Sequence, residues 1–251
     1  MTEVEANNFF FPENLVSRMN SLTGSSPYLS SQSDIKMLND SSFERNKKNV
    51  ENYTKIESSR LINIYGSDIY LYLRNIEQNL PSKSFLSKHK INPNVRTKMI
   101  DWMIEVFDAY CSETQTFFIC VEIFDNFLSK TKNILNNSHV HLIGIASMFI
   151  ASKFEDLCPI QMYHAKEKIG HNKFSAESIK EKEKEILQNI DFDLIFSTTF
   201  DFISILFYDF YTNNREDITT LNLMKQLKCL ENISVFLAKM LNYDEFFSPI
   251  R

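Results

Sequence analysis

The stretch His139-Val-His-Leu-Ile-Gly-Ile-Ala-Ser-Met-Phe-Ile-Ala-Ser-Lys-Phe-Glu-Asp156 governs how the rest of the chain is read, because apolar residues run all the way round a helical period within it. Leu142, Ile143, Ile145, Ala146, Met148, Phe149, Ile150 and Ala151 leave no polar face before Ser152 and Lys153. A helix of this kind has to be surrounded by other helices, and nowhere else in the chain is the pattern so complete. Gly144, Ala146, Ser147 and Ala151 are small and let neighbours come close. The end, Lys153-Phe154-Glu155-Asp156, is different. There a buried rod reaches the surface with a cation and an aromatic at its tip.

Outward from this centre, helical spacing recurs on both sides. Asn136-Asn137-Ser138 breaks the preceding segment and caps the central one. Ser112 with Gln115 predicts a capping box, ahead of an inner face of Phe117, Val121, Phe124 and Leu128. Asn92-Pro93 sets a cap and a proline at the start of a helix with the stripe Val95, Met99, Trp102, Met103, Val106 and Tyr110. Upstream again, Ile62, Tyr65, Ile69, Tyr72, Leu73 and Ile76 form a first amphipathic helix closed by Pro81.

Downstream, Pro159 opens a short helix and Ser175 caps a longer one. Ile179, Ile186, Leu187 and Ile190 set its inner face, and the alternating charges Lys180 to Glu185 read as a solvated face. Thr198 with Asp201 predicts another capping box, before Phe202, Ile205, Leu206 and Phe210, and a final helical pattern runs from Leu221 to Met240. No segment alternates like a strand for any length, so the expected class is all-α. Residues 1–55, rich in Asn and Ser, read as a disordered tail.

Composition narrows the functional classes. A net charge of -5 argues against nucleic-acid backbone or anionic membrane as the main partner. No apolar run approaches the roughly 20 residues needed to span a bilayer, and the acidic N-terminus does not resemble a secretory leader. Cys111, Cys120, Cys158 and Cys229 lie far apart in apolar segments and are expected as reduced, buried thiols. Phosphate loops, nucleophile elbows and zinc-protease motifs are missing, so the chain is not expected to be an enzyme or to carry a cofactor or metal. His139 and His141, two apart, fall on different sides of a helix.

The segments together resemble a known family. From Tyr65 to Leu194 the chain is similar to the cyclin box of mitotic, A- and B-type, cyclins. Val95-Arg-Thr-Lys-Met-Ile-Asp-Trp-Met-Ile-Glu-Val106 resembles the first box helix, and Phe124-Asp-Asn-Phe-Leu-Ser129 the end of the second. The central stretch with Ala151-Ser-Lys-Phe-Glu155 resembles the third, and Asp191-Phe-Asp-Leu194 the end of the fifth. Ahead of them, Tyr65-Gly-Ser-Asp-Ile-Tyr-Leu-Tyr-Leu-Arg74 resembles the N-terminal helix that mitotic cyclins add. Five residues that mark the family are present: Arg96, Asp125, Leu142, Lys153 and Glu183.

The resemblance implies a five-helix cyclin box at 91–196, preceded by a helix and linker at 56–90 and followed by a partial second cyclin-like lobe at 197–251. Only the first two helices of that second repeat, with the start of a third, fit in this length. By resemblance Arg96 and Asp125 pair inside the box. Lys153, Glu183 and Phe154, with Tyr65 and Ile69, would grip the mobile helix of a cyclin-dependent Ser/Thr kinase and hold it in its active position. A second surface, at Val95, Met99, Trp102, Glu105, Val140 and His141, would dock kinase substrates or inhibitors, although Lys98 stands there in place of an aliphatic residue. The implied function is activation of that kinase in cell-cycle control, in nucleus and cytoplasm. Alternatives are a helical scaffold of the same fold without kinase activation and a DNA-binding relative of the transcription-factor type.

Overall fold

The computed structural model describes residues 64–77, 85–213 and 221–244. The expected tail at 1–55 and the start of a third helix in the second repeat lie outside them. Among the described residues the chain is helical without strands, and a bridge between Lys90 and Asn136 is the one β-type pairing. The helices are α1 at 64–77, α2 Pro93–Ala109, α3 Thr114–Lys130, α4 Asn137–Glu155, α5 Ala176–Asn189, α6 Thr199–Asn213 and α7 Leu221–Leu241.

Local chemistry sets most of the boundaries. Asn92 caps α2 by accepting from the Asn94 N–H at 2.9 Å, with Pro93 at the first position. Asn136 caps α4 from the Ser138 N–H, and His139 Nδ1 accepts from the Asn136 N–H, which closes a capping box. Ser175 caps α5 through the Ser178 N–H at 3.1 Å. Thr198 and Asp201 cap each other reciprocally at the start of α6.

The expected box at Ser112 and Gln115 does not form. The N-cap of α3 is Glu113, without a side-chain cap bond. Gln115 is drawn off to Thr198 and Asp201, and Asp156 accepts from the Glu113 N–H instead. Pro159 does not open a helix either. The Ile160 N–H donates to Ser152 Oγ at 2.8 Å, which delays the next helical turn to residue 162, ahead of a π turn at His164–Ile169.

The buried centre is shared by two rods. In α4 Ile143 to Ser152 are all buried, with Leu142 half-buried at the edge. In α3 Thr116 to Asp125 are all buried as well, which the sequence reading reserved for α4. The reason is α6: its Phe200 stacks on Phe118 at 5.8 Å and covers a face of α3 that a single box would leave wet. Gly144 brings α2 close, since the Met99 thioether lies where a Cβ on residue 144 would project.

The last two helices are held to the box but keep apolar surface outside. In α6 Phe207 is buried, whereas Leu206 and Phe210, apolar residues of the predicted helix, are exposed. Lys239 of α7 lies 5.5 Å above the Phe117 ring of α3. Beyond α7, the carbonyls of Asn242 and Tyr243 accept from Arg96 Nη1, and the Tyr243 hydroxyl donates to Asp101 at 2.6 Å. The four cysteines are free thiols, but only Cys120 is buried. Cys111, Cys158 and Cys229 are exposed because they sit at a turn, in a loop and on the outer face of α7.

Candidate partner-binding site

The tip of α4 is built by the residues that end it. Asp156 Oδ2 accepts from the Ser152 hydroxyl at 2.8 Å, and Oδ1 accepts from the Thr116 hydroxyl and the Glu113 N–H. Three bonds on one carboxylate fix where the helix stops, and so fix Lys153 and Phe154 just before it. Glu155 sits among Asp201, Asp156 and Glu113, and burial first, then these carboxylates, push its carboxyl above the ordinary value.

Lys153 pairs with Glu183, across from α4 to α5. Its ammonium also lies 4.2 Å above the Phe149 ring, on its own helix. The lysine is 40% exposed and the glutamate 16%. Glu183 stands four residues after buried Ile179 and three before buried Ile186, on the inward stripe of α5. The alternating charges of this helix are therefore not one solvated face. Lys182 is also half-buried, pairing with Glu185 and lying 5.7 Å above the Phe127 ring.

Exposed aromatic rings lie beside the lysine on α4 and, separately, past the far end of α5. Phe154, next to Lys153, is exposed. Past the end of α5, Asp191 and Phe192 both have positive φ, at 57° and 58°, an uncommon state for residues other than glycine. The turn is held by the Phe192 N–H donating to the Leu187 carbonyl at 2.8 Å, and it leaves the Phe192 ring 65% exposed. Sequence reasoning did not mark Phe192 as a surface residue; a phenylalanine ending a helix reads as core. On α1, Tyr65 is exposed and Ile69 half-buried.

Arg96 and Asp125 meet in the interior rather than at this surface. Nε and Nη2 reach the two carboxylate oxygens at 2.9 and 2.7 Å, in the bidentate geometry that makes such pairs strong, and the two side chains are 1% and 0% exposed. The guanidinium carbon lies 5.9 Å from the centre of the Phe85 ring.

The residues expected to dock substrates divide in two. Met99 and Val140 are buried, and Val95 is half-buried. Trp102 and His141 meet edge to face at 5.1 Å, and His141 meets Phe174 at 5.4 Å, a partner the sequence did not indicate. Burial first, with Lys173 and His171 adding, lowers the His141 pKa. Glu105 is exposed at this edge, and burial with the Asp101 charge raises its carboxyl. Among the described residues no group of His, Cys, Asp or Glu is arranged for a metal, and no helix is long and apolar enough to cross a membrane.

The arrangement can be compared with known proteins. The X-ray structure of a viral cyclin from herpesvirus saimiri superposes with a TM-score of 0.50 at 17% identity, over 72% of this chain and 98% of that one. The fold is thus that of the all-helical cyclin class. The family model described as the cyclin N-terminal domain matches residues 68–195, just over half of the chain. The chain belongs to the cyclin family, and it resembles the mitotic members.

Among its relatives are the G2/mitotic-specific cyclin cdc13 of Schizosaccharomyces pombe, 33% identical over 160 residues, and Cyclin-A1-2 of Oryza sativa subsp. japonica, 31% identical over 141. The S-phase entry cyclin-5 of Saccharomyces cerevisiae is 29% identical over 158. These matches cover 61%, 55% and 60% of this chain but only about a third of each relative, at 32%, 29% and 35%.

Proposed function

We propose that this chain is a non-catalytic regulatory subunit that binds and activates a cyclin-dependent Ser/Thr kinase in cell-cycle control. The observation that carries the reading is the Lys153–Glu183 pair. It joins two helices at the point where the buried rod surfaces, and Phe154 stands exposed beside it. An ammonium 40% exposed and a carboxylate 16% exposed, held by rigid helices, can exchange part of their mutual bond for peptide carbonyl and N–H groups of a partner. Exposed Phe154 supplies apolar area next to those polar contacts.

The subunit performs no chemical step in this scheme. It acts by binding the active arrangement of the kinase more tightly than the inactive one, since equal affinity for both would shift nothing. In a kinase the shifted element carries the glutamate that pairs with the strand lysine holding the ATP phosphates. Tyr65 and Ile69 of α1 would add a second contact, and the Trp102–His141 edge would recruit substrates or inhibitors.

The test is direct. Purified full chain mixed with candidate kinases should raise phosphorylation of a histone substrate, and Lys153→Ala with Glu183→Ala should abolish kinase co-purification while leaving the helical circular dichroism unchanged. Failure of well-folded protein to activate any of the kinases would sink the reading.

A further inference from the structure

Two stretches of the sequence, 78–100 and 126–154, hold no acidic residue, although the chain has 32 of them and a net charge of -5. The fold lays parts of these stretches side by side. The Lys90 N–H donates to the Leu135 carbonyl at 2.7 Å, and Lys88 Nζ donates to the Ser129 carbonyl at 3.3 Å. Between these lysines the His89 ring turns inward. Its Nε2 donates to the Leu128 carbonyl at 2.7 Å, and its Nδ1 accepts from the Leu135 N–H at 3.3 Å. Lys88, Lys90 and Lys132 stay exposed around this seam, and among the described residues none of them pairs with a carboxylate. Lys130 is not one of the group, since it lines a cleft together with Asp193.

The same surface carries one large apolar side chain. Ile134, two residues after Lys132 and next to the Leu135 that receives Lys90, is 69% exposed. The platform is held in place by Leu86, Ile91 and Leu135, all buried, which anchor both segments. The starts of α2 and α4 meet at its edge, where the Asn92 N–H donates to Asn137 Oδ1 at 2.9 Å. The positive poles of both helices add to the potential there.

These features favour a short anion over an extended one. At physiological salt the field of exposed charges reaches only about 8 Å, so a short segment meets the lysines alone. A duplex or a membrane surface is larger and also meets the net negative charge of the remaining chain. The group contains no arginine to hold a single phosphate in bidentate fashion, and lysines act as separate point charges. The charges it matches are therefore carboxylates spread along a chain, with one apolar side chain among them for Ile134.

We propose that this surface docks an acidic peptide segment of a partner protein, with Asp or Glu side chains against Lys88, Lys90 and Lys132 and one aliphatic side chain on Ile134. None of these residues belongs to the contacts assigned to the kinase or to the substrate-docking edge, so the proposal stands or falls apart from that reading.

The experiment titrates the peptide Glu-Asp-Glu-Leu-Glu-Asp into isotope-labelled full chain while amide resonances are followed. The expected result is saturable shifts at residues 88–90 and 131–136 at about 50 mM salt, lost at about 500 mM. Each of Lys88→Ala, Lys90→Ala and Lys132→Ala should weaken binding roughly two- to five-fold. Lys88→Glu, Lys90→Glu and Lys132→Glu together should abolish it with the circular dichroism unchanged, since all three side chains are exposed. Replacing the leucine of the peptide by serine should weaken binding roughly five-fold, and Ile134→Ser should erase that difference.

A peptide of equal charge carried by phosphoserine should bind more weakly, and duplex DNA and phosphatidylserine vesicles should give no saturable shift at these amides. The proposal is overturned if the acidic peptide gives none either, or if the triple glutamate variant binds it as before. Tighter binding at these amides by the DNA, the vesicles or the phosphopeptide would also overturn it.

Discussion

Two ion pairs in the same helical box do opposite things. Arg96–Asp125 joins α2 to α3 in the interior, with both side chains buried and two parallel bonds between them. Lys153–Glu183 joins α4 to α5 at the surface, with the lysine 40% exposed. A charge already out of water must keep its partner, because losing it strands the other. A charge half in water can release its partner at little cost, because solvent takes over. The first pair is suited to architecture and the second to exchange with another protein.

The largest effect should come from breaking the inner pair. Arg96→Ala is expected to lower unfolding stability by about 3–5 kcal/mol, since Asp125 is left buried and charged. The urea midpoint measures it. Replacing both residues, Arg96→Met with Asp125→Leu, should recover a large part of that loss, because the interior then holds no unpaired charge. A double variant as unstable as the single would show that Arg96 matters mainly through the carbonyls of Asn242 and Tyr243.

The outer pair should respond in the reverse way. Lys153→Ala is expected to change stability by less than about 1 kcal/mol while removing kinase capture. The charge exchange Lys153→Glu with Glu183→Lys sharpens the comparison. It restores attraction within the chain but inverts what a partner meets, so stability should be kept and capture lost. Added salt should erode the small stability contribution of this pair and leave that of the buried pair nearly untouched, as urea midpoints at low and high ionic strength would reveal.

A smaller effect belongs to His141. Its imidazole resists protonation in the folded chain, through burial above all, while the unfolded chain protonates normally near 6.5. The unfolded state then binds more protons below that value, so stability should fall as the pH drops beneath it and be unaffected above. His141→Phe should flatten the acid side of the curve, and an unchanged slope would place the pH dependence on other groups.

The sequence carries these features unevenly, and the reason is range. Asn92, Asn136, Ser175 and Thr198 act within three residues, so their caps are readable from spacing alone. Ser112 with Gln115 has the same spacing, yet Gln115 bonds to Thr198 and Asp201, 83 and 86 residues away. In α6, Phe200, Phe202, Ile203, Ile205, Leu206 and Phe207 crowd every side, so period cannot select the buried face, and Phe207 rather than Leu206 goes inside. Lys153 and Glu183 are legible as single charges and through the family resemblance. Their meeting depends on how α5 lies across α4, which no local pattern encodes.

The bonds from Arg96 to the carbonyls of Asn242 and Tyr243 span 146 and 147 residues. During synthesis at about 5–20 residues per second, roughly 7–30 s separate the arginine from these acceptors. Asp125 arrives within a few seconds, so the box can begin to form around its charge pair while α7 has not yet been made. The link to Asn242 then works as a late clasp. A ribosome that stalls before residue 242 would leave a nascent box lacking that clasp, in the window when chaperones and proteases sort unfinished chains.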